Sequence, residues 1–328
     1  MLQDRLLSYT TKYDLSDIHI CADYSTAIRV NGTMEILEDV VSKAEVSSFL
    51  EEELTKSQLD KFKTAHDLDF AVQFGDIRFR VSALQSNNGL ALVLRLIKSE
   101  IITLEKLGMP PVISDISNIH SGLVLVTGET GSGKSTTLAA IVNLINEQRN
   151  GHILTIEDPI EFLHQPKKCI ITQREVGKDT LSFANALKGA LRQDPDIILL
   201  GEMRDLETIS MALTAAETGH LVFGTLHTSG AASTINRILD VFPPAQQGQA
   251  RSQLAGSLQM TITQQLHKTK DGQGRCASLE IMVANPAIRN LIREDKLQQI
   301  ESVLQMGMSE GMITMSKSLE QLKNMGKI

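Results

Sequence analysis

The run Gly128-Glu129-Thr130-Gly131-Ser132-Gly133-Lys134-Ser135-Thr136 decides how this chain is read. It matches the phosphate-binding pattern G-x-x-x-x-G-K-S in full. Leu123 to Thr127, just before it, predict a buried strand, and residues 134–148 predict a helix with Leu138, Ile141, Val142 and Ile145 on one stripe. Glycines let successive backbone N–H groups curl around a phosphate, and the helix N-terminus adds positive potential. Gly128, Thr130, Gly131, Ser132, Gly133, Lys134, Ser135 and Thr136 are therefore the expected nucleotide-binding residues. Lys134 is expected on the β- and γ-phosphates of ATP, and the Ser135 hydroxyl on Mg²⁺.

Outward from the loop, residues 123–127, 153–156, 197–200 and 221–226 are short, almost wholly apolar runs separated by helical stretches. That pattern predicts an α/β domain whose parallel sheet is covered on both faces. It begins near Ser114 and becomes mostly helical from about 229 to 328, with an exposed turn at 270–274 between two strands. Residues 1–97 read as a separate α/β domain. A short helix begins with Leu2, Leu6 and Leu7, strands are expected at 18–20, 27–30, 69–74, 77–83 and 90–96, a second helix at 45–63, and a hairpin turn at Asn31-Gly32. Residues 98–113, with Leu107-Gly108-Met109-Pro110-Pro111, read as an interdomain linker.

The chain has 328 residues, 42% of them hydrophobic, with 32 basic against 39 acidic side chains and a net charge of −7. An acidic balance and 4% aromatics without tryptophan argue against a RecA-like DNA motor, which needs a basic groove and stacking platforms. No window approaches the roughly 18 continuous apolar residues of a membrane span, and the N-terminus has no signal-peptide core. A cytoplasmic protein is expected. Cys21, Cys169 and Cys276 are far apart and form no C-x-x-C, so they read as reduced, structural thiols.

A phosphate loop needs acids to hold the metal and orient water. Two acidic clusters follow apolar strands: Glu157-Asp158-Pro159-Ile160-Glu161, and Gly201-Glu202 after Ile197 to Leu200. Open α/β sheets build their sites at such strand ends. The second cluster resembles a Walker B strand with Gly201 where an aspartate is usual, which shifts the metal role to Glu202, acting partly through water. For Glu161 a solvated loop acid is the plain alternative. His220 and His227 bracket the strand 221–226; an odd offset over seven extended residues puts them on opposite faces, so they do not share an ion. His227, at the C-terminal end, reads as a γ-phosphate sensor and His220 as structural, although a core histidine fits either alone. Arg80, Arg95, Arg192 and Arg204 are candidates for neutralising transition-state charge, with surface ion pairs as the alternative.

Taken together, Gly128–Thr136, Glu157–Phe162, Gly201–Asp205 and Thr218–Thr228 resemble the Walker A, Asp box, Walker B and His box of the secretion-superfamily ATPases of type II secretion and type IV pili. Ala287-Ile288-Arg289-Asn290-Leu291-Ile292-Arg293-Glu294 matches the signature of the pilus retraction (PilT-type) subgroup. The absence of a four-cysteine zinc element, and a length that leaves no room for an extra N-terminal domain, agree with that subgroup over an assembly or type II secretion ATPase. Ser16–Ile20 and Ile28–Gly32 match the family's PAS-like N-terminal domain. The resemblance implies a PAS-like domain before a RecA-like core, with ATP and Mg²⁺ bound between them in a homohexamer. It also implies ATP hydrolysis that drives pilus retraction against an inner-membrane platform protein, in some systems beside a second retraction ATPase. By the same resemblance Glu161 orients the attacking water, Glu202 organises Mg²⁺, His227 reports γ-phosphate loss, and Arg80 and Arg95 reach the phosphates. Lys188 stands where members often carry arginine, and a lysine keeps the charge but loses the bidentate fork. As a packed helix, the signature segment is capped by Asn285, buries Ile288, Leu291 and Ile292, and turns Arg289 away from that stripe.

Overall fold

The computed structural model describes residues 1–30, 32–97, 100–272 and 274–328. The expectations for Asn31, for Lys98 and Ser99 at the start of the linker, and for Gln273 in the exposed turn lie outside the described residues. Two compact units divide the chain: Met1–Glu100 with Asp158–Leu163 and Glu175–Asp179, and Ile101–Glu157 with His164–Arg174 and Thr180–Ile328.

The first unit runs α1 (Leu2–Lys12), β1 (Leu15–Cys21), β2 (Ser25–Val30), β3 (Thr33–Val40), α2 (Lys43–Glu53), α3 (Lys56–Ala65), β4 (Asp67–Phe74), β5 (Ile77–Ser86) and β6 (Gly89–Ile97). Its strands form one antiparallel sheet in the order β3-β2-β1-β6-β5-β4. Alternation sends Phe79, Val81 and Ala83 of β5 into a core with Ile18, Leu92, Leu94 and the helical residues Leu6, Val46 and Phe49. Arg78, Arg80 and Ser82 take the opposite face. The helix expected over 45–63 is two helices. Ser42 and Glu45 form a capping box for α2, and Thr55 with Gln58 forms another that starts α3, so the chain breaks at Leu54-Thr55.

The second unit runs α4 (Pro111–Ser114), β7 (Gly122–Thr127), α5 (Lys134–Gln148), β8 (Gly151–Glu157), β9 (Cys169–Glu175, whose last residue lies in the first unit), α6 (Phe183–Ala190), β10 (Ile197–Leu200) and α7 (Leu206–Glu217). It continues with β11 (Leu221–Leu226), α8 (Ala231–Asp240), α9 (Pro244–Ser257), β12 (Leu258–Lys268), β13 (Arg275–Val283), α10 (Pro286–Arg293), α11 (Ile300–Met306) and α12 (Met315–Asn324). The sheet order is β13-β12-β7-β11-β10-β8-β9, with β12, β7, β11, β10 and β8 parallel and β13 antiparallel at one edge. The segment expected to be mostly helical thus supplies two long strands on either side of the expected 270–274 turn, β12 beside the phosphate-loop strand β7 and β13 outside β12 at the sheet edge. Residues 101–113 are not a free linker: Leu104 and Ile113 are buried with Val124, Val126 and Ile141 in this unit's core.

His164, in the second unit, is 8% exposed, and its Nδ1 has no hydrogen-bond partner. Burial, helped by Lys167, pushes its pKa down to about 4. In the unfolded chain it takes up a proton near pH 6.5. The contribution is therefore fully present above pH 6.5 and is lost as pH falls from there toward 4, a change of roughly 3 kcal/mol. Unfolding free energies measured by denaturant titration from pH 7 to pH 4 are expected to fall less steeply in His164→Leu than in the wild type. Parallel curves would contradict the assignment.

Candidate functional site

β7 is buried along its whole length and delivers the chain to Gly128 between β11 and β12. Gly128 has φ +139°, and a Cβ there would lie 2.3 Å from the Gln264 carbonyl oxygen and 2.6 Å from Ser132 Oγ. Gly133 has φ +89° and starts α5 in the left-handed region, where a Cβ would meet the Gln264 side chain at 2.7 Å. Only glycine fits both places. α5 begins at Lys134 as expected, so the amides of the loop converge at a helix N-terminus.

The Lys134 ammonium folds back over the loop and donates to the carbonyls of Gly128 at 2.8 Å and Glu129 at 2.9 Å. The loop is braced from below by β12. Thr137 Oγ1 donates to Gln264 Oε1 at 2.8 Å, and the Thr127 and Thr263 hydroxyls are 2.9 Å apart. Beside the loop opens a cavity of about 610 Å³ lined in part by Leu107, Gly133, Thr136, Gln264, Leu266 and Cys276. Its size suits a nucleoside. Leu107, Gln264, Leu266 and Cys276 escaped the sequence reading because they are brought to the loop by strands and a segment far from it in the chain.

Glu202 follows β10, where its carboxylate pairs with Arg204 and with His227 Nε2 at 3.2 Å. The strands β10 and β11 are parallel neighbours, so their C-terminal ends place Glu202 and His227 together. Gly201 explains the departure from an aspartate: a Cβ there would lie 3.2 Å from the Glu157 Cα. Glu157 accepts from Thr155 Oγ1 at 2.7 Å and from Gln173 Nε2 at 3.3 Å. His220, at the other end of β11, has Nδ1 3.0 Å from the Ala215 carbonyl. No cluster of three or more metal-ligating side chains occurs among the described residues. Mg²⁺ is held by one or two protein oxygens, phosphates and water, and Ser135 and Glu202 carry hard oxygen donors of that kind.

The first unit carries Arg80, Arg95 and Glu161. Arg80 and Arg95 are cross-strand partners on one face of the sheet. Arg80 reaches Asp69 at 3.2 Å and Glu161 at 3.8 Å. Arg95 donates through Nε to Asp17 at 2.9 Å. Burial works against the Asp17 carboxylate, but its hydrogen bonds from Arg95 and Ser16 hold it below the ordinary range. Arg78 went unnoticed in the sequence, yet it is the buried arginine of this face and pairs with Glu175 at 2.9 Å. Strand alternation two residues before Arg80 was the available signal. Arg192 lies exposed after α6.

Helix α10 is capped by Asn285, as its sequence predicts. Arg289 does not simply face solvent. Its guanidinium donates to the Ala255 and Gly256 carbonyls at 2.7 and 2.6 Å and to Gln259 Oε1 at 3.2 Å, closing the C-terminal end of α9. Removing it therefore disturbs helix packing as well as any role in coupling.

The family model for Type II/IV secretion system proteins matches residues 1–323. The chain is 54% identical over 303 residues to a twitching motility protein of Neisseria gonorrhoeae, covering 92% of this chain and 81% of that one. It is 50% identical over 325 residues to the type IV pilus retraction ATPase PilT of Pseudomonas aeruginosa, covering 98% and 94%. A crystal structure of the pilus retraction motor PilT with bound ADP superposes with a TM-score of 0.90 at 43% identity, over 99% of this chain and 93% of that one. A glycine loop at a helix N-terminus, an acid and a histidine at adjoining strand ends, and these likenesses agree: the chain belongs to the Type II/IV secretion system protein family, as a nucleotide-binding, ATP-hydrolysing enzyme of the PilT type.

Proposed function

We propose that this protein is the motor of type IV pilus retraction, working as a homohexamer in the cytoplasm at the inner-membrane base of the pilus machine. The observation that carries the reading is the phosphate loop with Glu202 and His227 joined at the neighbouring strand ends, in a chain similar over nearly its whole length to retraction ATPases. No described helix is long and apolar enough to cross a membrane, so force would pass to a membrane-embedded platform protein by docking. In this reading a second retraction ATPase works beside it at that platform in some systems, and nucleic acid is not a partner.

In this reading Lys134 exchanges its loop carbonyls for oxygens of the β- and γ-phosphates, and the loop amides hold the β-phosphate. Ser135 and, through water, Glu202 would hold Mg²⁺, which would supply charge neutralisation at the phosphates. Glu161 orients the attacking water, and Arg80 and Arg95 stabilise charge developing on the phosphoryl group. His227 senses the γ-phosphate and passes its loss to Glu202 through their contact. Each state of the nucleotide then favours a different arrangement of the protein, which is how hydrolysis performs work.

The test is surface pilus number and twitching in cells lacking the gene, complemented with wild type or Lys134→Ala. Excess pili without twitching, rescued by wild type alone, is the expected result. Bald cells would instead assign the protein to assembly.

A further inference from the structure

β5 carries two arginines on one face, and only Arg80 has a part in the reaction described above. Arg78 is 8% exposed, and its partner Glu175 3%. Burying an ion pair costs desolvation that the attraction often only repays, so such a pair is poor evidence of stabilisation by itself. Its geometry shows what it holds. Arg78 Nε donates to the Ile160 carbonyl at 3.1 Å. Glu175 Oε2 accepts from the Ile160 N–H at 3.2 Å and from Arg78 Nη2 at 2.9 Å. Three hydrogen bonds close a ring around one residue, and that residue immediately precedes Glu161.

The Ile160 carbonyl shares its peptide plane with the Glu161 N–H. Fixing it fixes the N–Cα bond from which Glu161 starts and leaves rotation about that bond as the backbone freedom that aims its side chain. Two residues along β5, Arg80 lies 3.8 Å from the Glu161 carboxylate. One strand therefore holds the backbone before Glu161 through Arg78 and its carboxylate through Arg80. Glu175 is itself anchored, since its N–H donates to Asp179 Oδ2 at 2.9 Å and its carbonyl accepts from the Asp179 N–H at 2.8 Å. All of these residues lie in the first compact unit.

We propose that Arg78 and Glu175 are positioning residues for Glu161: the buried pair clamps both backbone polar groups of Ile160 and so sets the carboxylate that orients the attacking water. This rests on the reading of Glu161 given above. Lysine at position 78 keeps the charge opposite Glu175 but loses the planar fork that reaches two partners at once. The clamp then opens on the carbonyl side while the ion pair remains.

The test compares full-length wild type, Arg78→Lys, Glu161→Gln and the double variant. The readouts are steady-state ATPase kinetics, affinity for a fluorescent ADP analogue and thermal unfolding. Arg78→Lys is expected to lower kcat about tenfold or more, because a small misplacement of a positioned group is enough for such a loss. KM and analogue affinity are expected to stay within about twofold, as nucleotide is held elsewhere. In the Glu161→Gln background, Arg78→Lys is expected to cost nothing further. Wild-type kcat in Arg78→Lys, or an equal loss in both backgrounds, overturns the clamp while leaving Glu161 in place. Wild-type kcat in Glu161→Gln overturns the reading of Glu161 itself. Should Arg78→Lys not fold, Glu175→Gln makes the same comparison: it keeps an acceptor for the Ile160 N–H and loses the charge facing Arg78. A loss confined to kcat supports the clamp, and an unchanged kcat overturns it.

Discussion

Replacing Lys134 by alanine is expected to abolish ATP hydrolysis, with kcat/KM falling by at least about 10²–10³-fold. Lys134 is the buried cation of the phosphate loop and is held within 2.9 Å of the loop carbonyls. Removing it has two consequences. The developing phosphate charge loses its nearest fixed positive group, in a site where water screens little. The carbonyls of Gly128 and Glu129 also lose their donor, so the loop no longer has the same reason to stay wound before nucleotide arrives. The two consequences separate by measurement. Phosphate release reports the first, and thermal unfolding without nucleotide reports the second. Activity within about tenfold of wild type in a folded Lys134→Ala protein would overturn the assignment of the loop lysine.

Glu202→Gln is expected to bind nucleotide about as well as wild type and to hydrolyse it about 10²-fold more slowly or worse. Glutamine keeps the size of the side chain but removes the charge that faces Arg204 and His227. Waters on a bound Mg²⁺ would lose an anionic partner, and His227 would lose the carboxylate it faces. Binding should survive because, in the proposed reading, the loop amides and Lys134 hold the phosphates, and the substitution leaves them alone. Equilibrium binding of an ADP analogue and single-turnover hydrolysis give the two numbers. A wild-type hydrolysis rate in Glu202→Gln would show that Gly201-Glu202 is not the metal-organising pair and would move that task to Glu157 or Asp158.

Local signals set most of the secondary structure. The glycine loop and α5 begin and end where strand, turn and helix signals put them, because each signal lies within a few residues of its effect. The two helices in place of one at 45–63 were also legible, since both capping boxes stand in the sequence at Ser42–Glu45 and Thr55–Gln58. The apolar positions on either side had hidden the break. β12 was harder. Leu258, Met260 and Ile262 are apolar, but Gln264 and Gln265 follow, and that backbone is satisfied by β7 as far as Thr263 and by β13 from Met260 to Lys268. The segment 101–113 looked like a linker from its prolines and glycine, yet Leu104 and Ile113 find a core made by residues far along the chain.

The site divides in the same way. The sequence by itself determined the phosphate loop, the candidate acids, the two histidines at opposite ends of β11 and the nucleotide-hydrolysing class, because those depend on residue type and short spacing. Only the tertiary structure decided that Glu202 meets His227, that Arg80 meets Glu161 while Arg95 meets Asp17, that Gln264 braces the loop, and that Arg78 and Glu175 close on Ile160. The reason is physical. These contacts join residues as far as 127 positions apart, and sheet order brings them together, a property of how strands pair and not of any one strand.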